Sequence, residues 1–92
     1  MKKWYFTFGC RIDEPYRNCY TVIEAESYEK AREEMVRLFG RSWAFQYSEE
    51  EWMINPQEDE SYKIKCRLFG HDENRTEPIS QAELYNLTQI YY

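Results

Sequence analysis

Four groups of side chains in this 92-residue chain have types that could do chemistry. Cys10, Cys19 and Cys66 stand with the single histidine, His71. Together they could compose a Cys3His zinc site, but such sites usually contain a Cys pair about two to four residues apart. Cys10 and Cys19 are separated by eight residues, so the spacing does not specify a ligand set. The same histidine is the only imidazole that could activate a cysteine or serine. It lies in the polar stretch GHDENRTEP, and nothing in the sequence orients it. Paired carboxylates for glycoside cleavage need two isolated acids, and a crowd of them reads as a surface. With no Gly-rich phosphate loop either, the expectation is no catalytic residue, no metal and no cofactor.

The third group is SEEEWMINPQEDE, residues 48–60. It holds Glu49, Glu50, Glu51, Glu58, Asp59 and Glu60, with Trp52 among them and no basic residue. The whole chain is at −5. Removing these six acids leaves eleven acids against twelve bases, so the remainder is at +1 and the entire excess sits in one segment. Such a segment is either a capped helix with a solvated loop, or a surface whose carboxylates imitate phosphates. In the second case they meet the Arg and Lys of a basic partner, with Trp52 as an aromatic anchor. The aromatic richness of the chain equally favours Trp52 as a core residue. The fourth group is Tyr62 with Lys63, Lys65 and Arg67. Alternating along a strand, three bases would stand ~6.5–7 Å apart, close to a phosphate repeat. They could bind a nucleotide or RNA, or form the ordinary solvent face of a strand.

The elements that must position these groups follow from periodicity. Trp4, Phe6 and Phe8 alternate with Tyr5 and Thr7, which predicts a strand ending at Gly9. CYTVIEA, residues 19–25, predicts a second strand, joined to the first by a long loop holding Asp13, Pro15 and Asn18. Ser27 caps a helix over 27–39, with Ala31, Met35, Leu38 and Phe39 as its apolar stripe, Glu33 and Arg37 set to pair, and Gly40 as its stop. Trp43, Phe45 and Tyr47 predict a third strand with all three rings on one face. Ser48 with Glu51 forms a capping box for a short helix over 49–54, halted at Asn55-Pro56. YKIKCRLF, residues 62–69, alternates and predicts an amphipathic strand with Tyr62, Ile64, Cys66 and Leu68 inward. Ser80 with Glu83 opens a helical turn, and 87–92 predicts a last strand. The order is ββαβ(α)β(α)β. That is an α+β fold, an antiparallel sheet of about five strands with helix 27–39 on one face, in one compact domain over 1–92.

Composition narrows the class further. Aromatics make up 18% of the chain, so rings build its core and some rings reach the surface. The opening MKKWYFTFGC lacks the apolar region of a signal peptide, and no apolar run approaches membrane-spanning length. Three cysteines, an odd count, argue against a disulfide framework. The expected setting is a reducing cytoplasm, with no membrane contact.

The stretches YFTFG (Tyr5–Gly9), VIEAESYEKAREEM (Val22–Met35) and FGRSWAFQYSEEEW (Phe39–Trp52) resemble a group of small proteins common in bacteriophages and prophages. The resemblance covers roughly the first 52 residues, and the closing YNLTQI is similar to the short last strand of such proteins. It implies phage origin, a host-cytoplasm setting and one compact domain, and it assigns no catalytic residue. Small acidic phage proteins are similar in kind to inhibitors of host defence, anti-CRISPR proteins among them. The leading expectation is a non-enzymatic binding protein, a monomer or small homo-oligomer. Its partner is a host defence protein such as a Cas nuclease, whose basic nucleic-acid site is occupied without direct contact to nucleic acid. The alternative is a nucleotide or RNA binder, acting as a sponge through Lys63, Lys65, Arg67 and nearby tyrosines. A structural virion or regulatory protein with no mimicry is a third class.

Overall fold

The alternation that opens the chain forms a strand because its two faces are covered by different parts of the protein. A computed structural model describes all residues, 1–92. β1 (Lys2–Thr7) pairs antiparallel with β2 (Cys19–Ala25), with Trp4 opposite Ile23 and Phe6 opposite Thr21. That register puts Trp4, Phe6, Ile23 and Ala25 on one face. α1 (Tyr28–Phe39) lies across it, burying Ala31 and Met35 completely. Ser27 Oγ accepts from the Lys30 amide at 3.2 Å, and Gly40 ends the helix at φ 69°, a left-handed value that costs glycine little. The expected Glu33–Arg37 pair does not form. Arg37 pairs with Glu34, and Lys30 approaches Glu33 at 3.9 Å. Exposed partners three and four residues apart differ by only tenths of a kcal/mol, so spacing alone does not choose between them.

β3 (Phe45–Tyr47) returns antiparallel to β1 on the side away from β2, with Tyr47 opposite Tyr5. It is shorter than expected. Trp43 leaves the alternation and packs edge-on against Phe6, with ring centroids 5.2 Å apart, while the Arg32 guanidinium lies 4.9 Å from its ring centre. Trp43 therefore joins the α1 side, while Phe45 and Tyr47 line the opposite face of the sheet with Tyr5.

A second lobe follows. α2 (Glu49–Trp52) leads into β4 (Met53–Ile54), α3 (Tyr62–Phe69), β5 (Ile79–Ser80) and α4 (Gln81–Leu84). β4 and β5 form a two-residue antiparallel ladder. Tyr62, Cys66, Ile79 and Leu84 make this lobe's own buried core. The strand expected over 62–69 is thus a helix. Residues 62, 64, 66 and 68 alternate, but on a helix they fall on two opposing faces. Tyr62 and Cys66, four apart, go in, while Ile64 and Leu68, also four apart, stay exposed. Lys, Arg and Leu are strong helix formers, and Gly70 at φ 78° supplies a left-handed stop. Alternation over eight residues cannot separate the two periods when both place the same pair inside.

The chain ends with β6 (Thr88–Gln89), which pairs with β2 in parallel, Cys19 with Thr88 and Tyr20 with Gln89. The main sheet is therefore mixed and four-stranded, in the order β3-β1-β2-β6, rather than antiparallel with about five strands. Thr21, the one fully buried polar residue, donates its hydroxyl to the Ile90 carbonyl at 3.0 Å. The class remains α+β. No helix is long and apolar enough to cross a membrane.

Burial raises the Tyr62 phenol from its ordinary 10.0 to about 12, with the Cys66 thiol adding to the effect. Between these values the unfolded chain has released a proton that the folded chain keeps, so stability falls as pH rises through this window. The thermal midpoint should drop steeply from about pH 10 to 12. In Tyr62→Phe that drop should be shallower, leaving the smaller slope of Tyr5, Tyr20 and Tyr47, which burial also raises. Equal slopes in differential scanning calorimetry would show that Tyr62 does not carry the effect.

Candidate functional site

The acidic stretch folds as two turns with β4 between them. In the first, Ser48 Oγ accepts from the Glu51 amide at 3.2 Å, and the Ser48 amide donates to Glu51 Oε1 at 3.0 Å. This is the reciprocal box announced by the Ser-x-x-Glu spacing, and Glu49, Glu50 and Glu51 all lie in the first turn of α2. Glu49 also accepts from the Lys3 amide at 3.2 Å, which ties α2 to β1. Lys2 and Lys3 share a concavity with Glu49 and Glu50, so the negative field is partly offset there.

In the second turn, Asp59 Oδ1 accepts from the amide and hydroxyl of Ser61, at 2.9 and 2.8 Å, and Asp59 Oδ2 meets Lys65 Nζ at 2.9 Å. The Lys65 hydrogen bond holds the Asp59 carboxyl below its ordinary range and raises the ammonium in return. Ser61 makes no side-chain cap, so Asp59 secures the entry to α3. Half of the six acids are thereby engaged within the protein. Glu50, Glu58 and Glu60 make no side-chain hydrogen bond or ion pair, and all three are exposed.

Trp52 is 3% exposed, so it does not present an aromatic anchor to a partner. It stacks on Tyr5 with centroids 4.7 Å apart and planes 9° from parallel, and it touches Tyr20 and Tyr47 at 5.2 and 5.6 Å. These three tyrosines line the sheet face away from α1. Burial raises the Tyr5 phenol, and the charge of Glu49 raises it further.

The other expected groups are rearranged. On a helix, Lys63, Lys65 and Arg67 do not share a stripe. Lys65 is tied to Asp59, Arg67 pairs with Glu73 at 2.6 Å, and Tyr62 is buried, which leaves Lys63 as the one free base of the three. Cys10, Cys19, Cys66 and His71 do not converge. Cys66 is sealed in the second core, and His71 Nε2 meets Asn86 Oδ1 at 3.2 Å. No three His, Cys, Asp or Glu side chains gather as a metal site.

Sequence reasoning missed a cleft of about 400 Å³ between the two lobes. Phe45 and Tyr47 line its sheet side, and Phe69 and Tyr85 its second-lobe side, with Cys10 and Cys19 at the hairpin end. The alternation of Phe45 and Tyr47 on one face was the only available signal for it. A larger groove, about 830 Å³, follows the seam between β2 and α1 and is lined by solvated charges, among them Glu24, Glu33 and Arg37. No family model, curated protein or solved structure matches the chain.

If Trp52 is a wedge and Ser48 only a cap, their truncations should differ in size. Trp52→Ala should lower unfolding free energy by ~3–5 kcal/mol, as for other buried rings. Ser48→Ala should cost ~1 kcal/mol. Urea titrations followed by circular dichroism decide the point, and a Trp52→Ala cost no larger than that of Ser48→Ala would contradict the buried stack.

Proposed function

We propose that this chain is a non-enzymatic binding protein that sets its acidic shoulder against a basic protein surface, of the kind that otherwise grips nucleic acid. One observation carries the reading. All of the chain's negative excess lies in residues 48–60, and Glu50, Glu58 and Glu60 face solvent with no internal partner. Carboxylates on anchored turns accept charge-assisted hydrogen bonds from Arg and Lys without first giving up an internal contact. The neighbouring bonds of Glu51 and Asp59 fix the two turns that carry them. The partner proposed is a host defence protein, such as a Cas nuclease, in the host cytoplasm, by analogy with small acidic phage proteins that inhibit host defence. The nucleotide or RNA alternative draws less support, because Lys65 and Arg67 are already occupied by Asp59 and Glu73.

The triple variant Glu50→Lys, Glu58→Lys, Glu60→Lys tests this reading. These side chains make no hydrogen bond or ion pair, so the only cost is Glu50 leaving the first turn of α2 beside Lys2 and Lys3, and stability should stay within about 1 kcal/mol of wild type. Immobilised on beads in bacterial lysate, the wild type should retain a basic protein that elutes as salt is raised, and the triple variant should not. Retention of the same protein by both chains, unaffected by salt, would defeat the proposal.

A further inference from the structure

We propose that the cleft between the lobes is a binding site for a small, uncharged, flat ring-bearing molecule. The argument starts from what the cleft lacks. At the chain's 32% charged content, its eleven lining residues would hold about three or four charged side chains, and they hold none. The nearest ammonium at its wall, Lys65, stands 6.0 Å from the Tyr85 ring centre and is already held by Asp59 at 2.9 Å, so an ionic ligand would shed water there with no free counter-charge to receive it, at a heavy cost.

What the cleft contains points the same way. Phe45 and Tyr47 stand on one wall with centroids 6.3 Å apart, and Phe69 and Tyr85 on the other at 5.3 Å. Rings on both sides favour a flat guest, which gains stacking or edge contacts against each wall. Phe45 is 62% exposed although its strand lies in the main sheet, so one wall is apolar surface that the fold itself does not cover. Polar groups are few and specific. Gln81 Nε2 is committed to the Glu51 carbonyl at 3.0 Å, while its Oε1 makes no bond within the protein and is free to accept from a ring N–H. A volume of about 400 Å³ lies within the usual range for small-molecule sites, and a boundary between two packed units is a common place for one. The site uses none of the six carboxylates of the acidic shoulder, so it stands apart from the docking reading.

Three probes of similar shape test the charge rule: indole, its anionic relative indole-3-acetate and its cationic relative tryptamine. Titration in about 0.15 M salt screens the chain's net charge beyond ~8 Å. In ¹⁵N–¹H correlation spectra, indole should shift the amides of residues 45–47, 69 and 85 saturably. The two ions should bind at least ~10-fold more weakly, because each must be desolvated. Bound indole should also slow alkylation of Cys19, which lines the cleft. Phe45→Ala should weaken indole about fivefold through loss of one ring contact, with little change in thermal midpoint, since Phe45 is mostly exposed. The proposal is overturned if indole shows no saturable shift up to its solubility limit, if all three probes bind alike, or if the shifts map outside the cleft.

Discussion

The stack of Trp52 on Tyr5 is the contact on which the rest of the arrangement depends. The main sheet has two apolar faces. α1 covers one, and the other presents Tyr5, Tyr20 and Tyr47. A sheet with one bare aromatic face would expose several rings to water, each worth ~150–250 Å² when buried. The second lobe has only four fully buried core residues, too few to hold its position alone. Trp52 meets both needs. It sits at the end of α2, covers the tyrosine face, and fixes the point from which β4 and the following elements depart.

This placement explains how charge can be concentrated without loosening the fold. α2 has only four residues, and an isolated helix of that length would not persist in water. Here its last residue is buried in the sheet and its first turn is closed by Ser48 and Glu51. The carboxylates are carried on a turn held at both ends. Asp59 does the same for the second acidic turn by holding Ser61 and Lys65. Within one stretch, some acids build the platform and others remain free upon it, and sequence position alone does not distinguish the two.

Much of the first half was legible because its signals are local. Trp4, Phe6 and Phe8 alternate, Ser27 caps, Ala31 and Met35 fall four apart, and Ser48 meets Glu51, all within a few residues. The second half was less legible. In YKIKCRLF both periods put Tyr62 and Cys66 inside, and the competition was settled by a core that also draws on Ile79 and Leu84, more than ten residues downstream. The parallel pairing of β6 was hidden for the same reason, since nothing in LTQIYY specifies direction. Trp43 broke its alternation because a partner across the sheet, Phe6, offered a better contact than the strand did. Beyond the alternation of Phe45 and Tyr47 the cleft left no trace in the sequence, since its walls come from residues 7 to 87 and its defining trait is an absence of charged lining residues. Asp59 was read as surface charge because its task is visible only once Lys65 is placed on a helix.

The parallel pairing of β6 with β2 has a consequence for the order of events during synthesis. Thr21 is completely buried on β2, yet the acceptor of its hydroxyl is the carbonyl of Ile90, 69 residues later. Until residues 88–90 leave the ribosome, a nascent sheet lacks the protein acceptor of that hydroxyl and leaves the outer edge of β2 open to water. The early strands and α1 can associate locally, but the protein acceptor of their buried hydroxyl lies 69 residues downstream of Thr21. Closure of the β2 edge therefore waits on a partner 69 residues downstream, with that hydrogen bond acting as the latch.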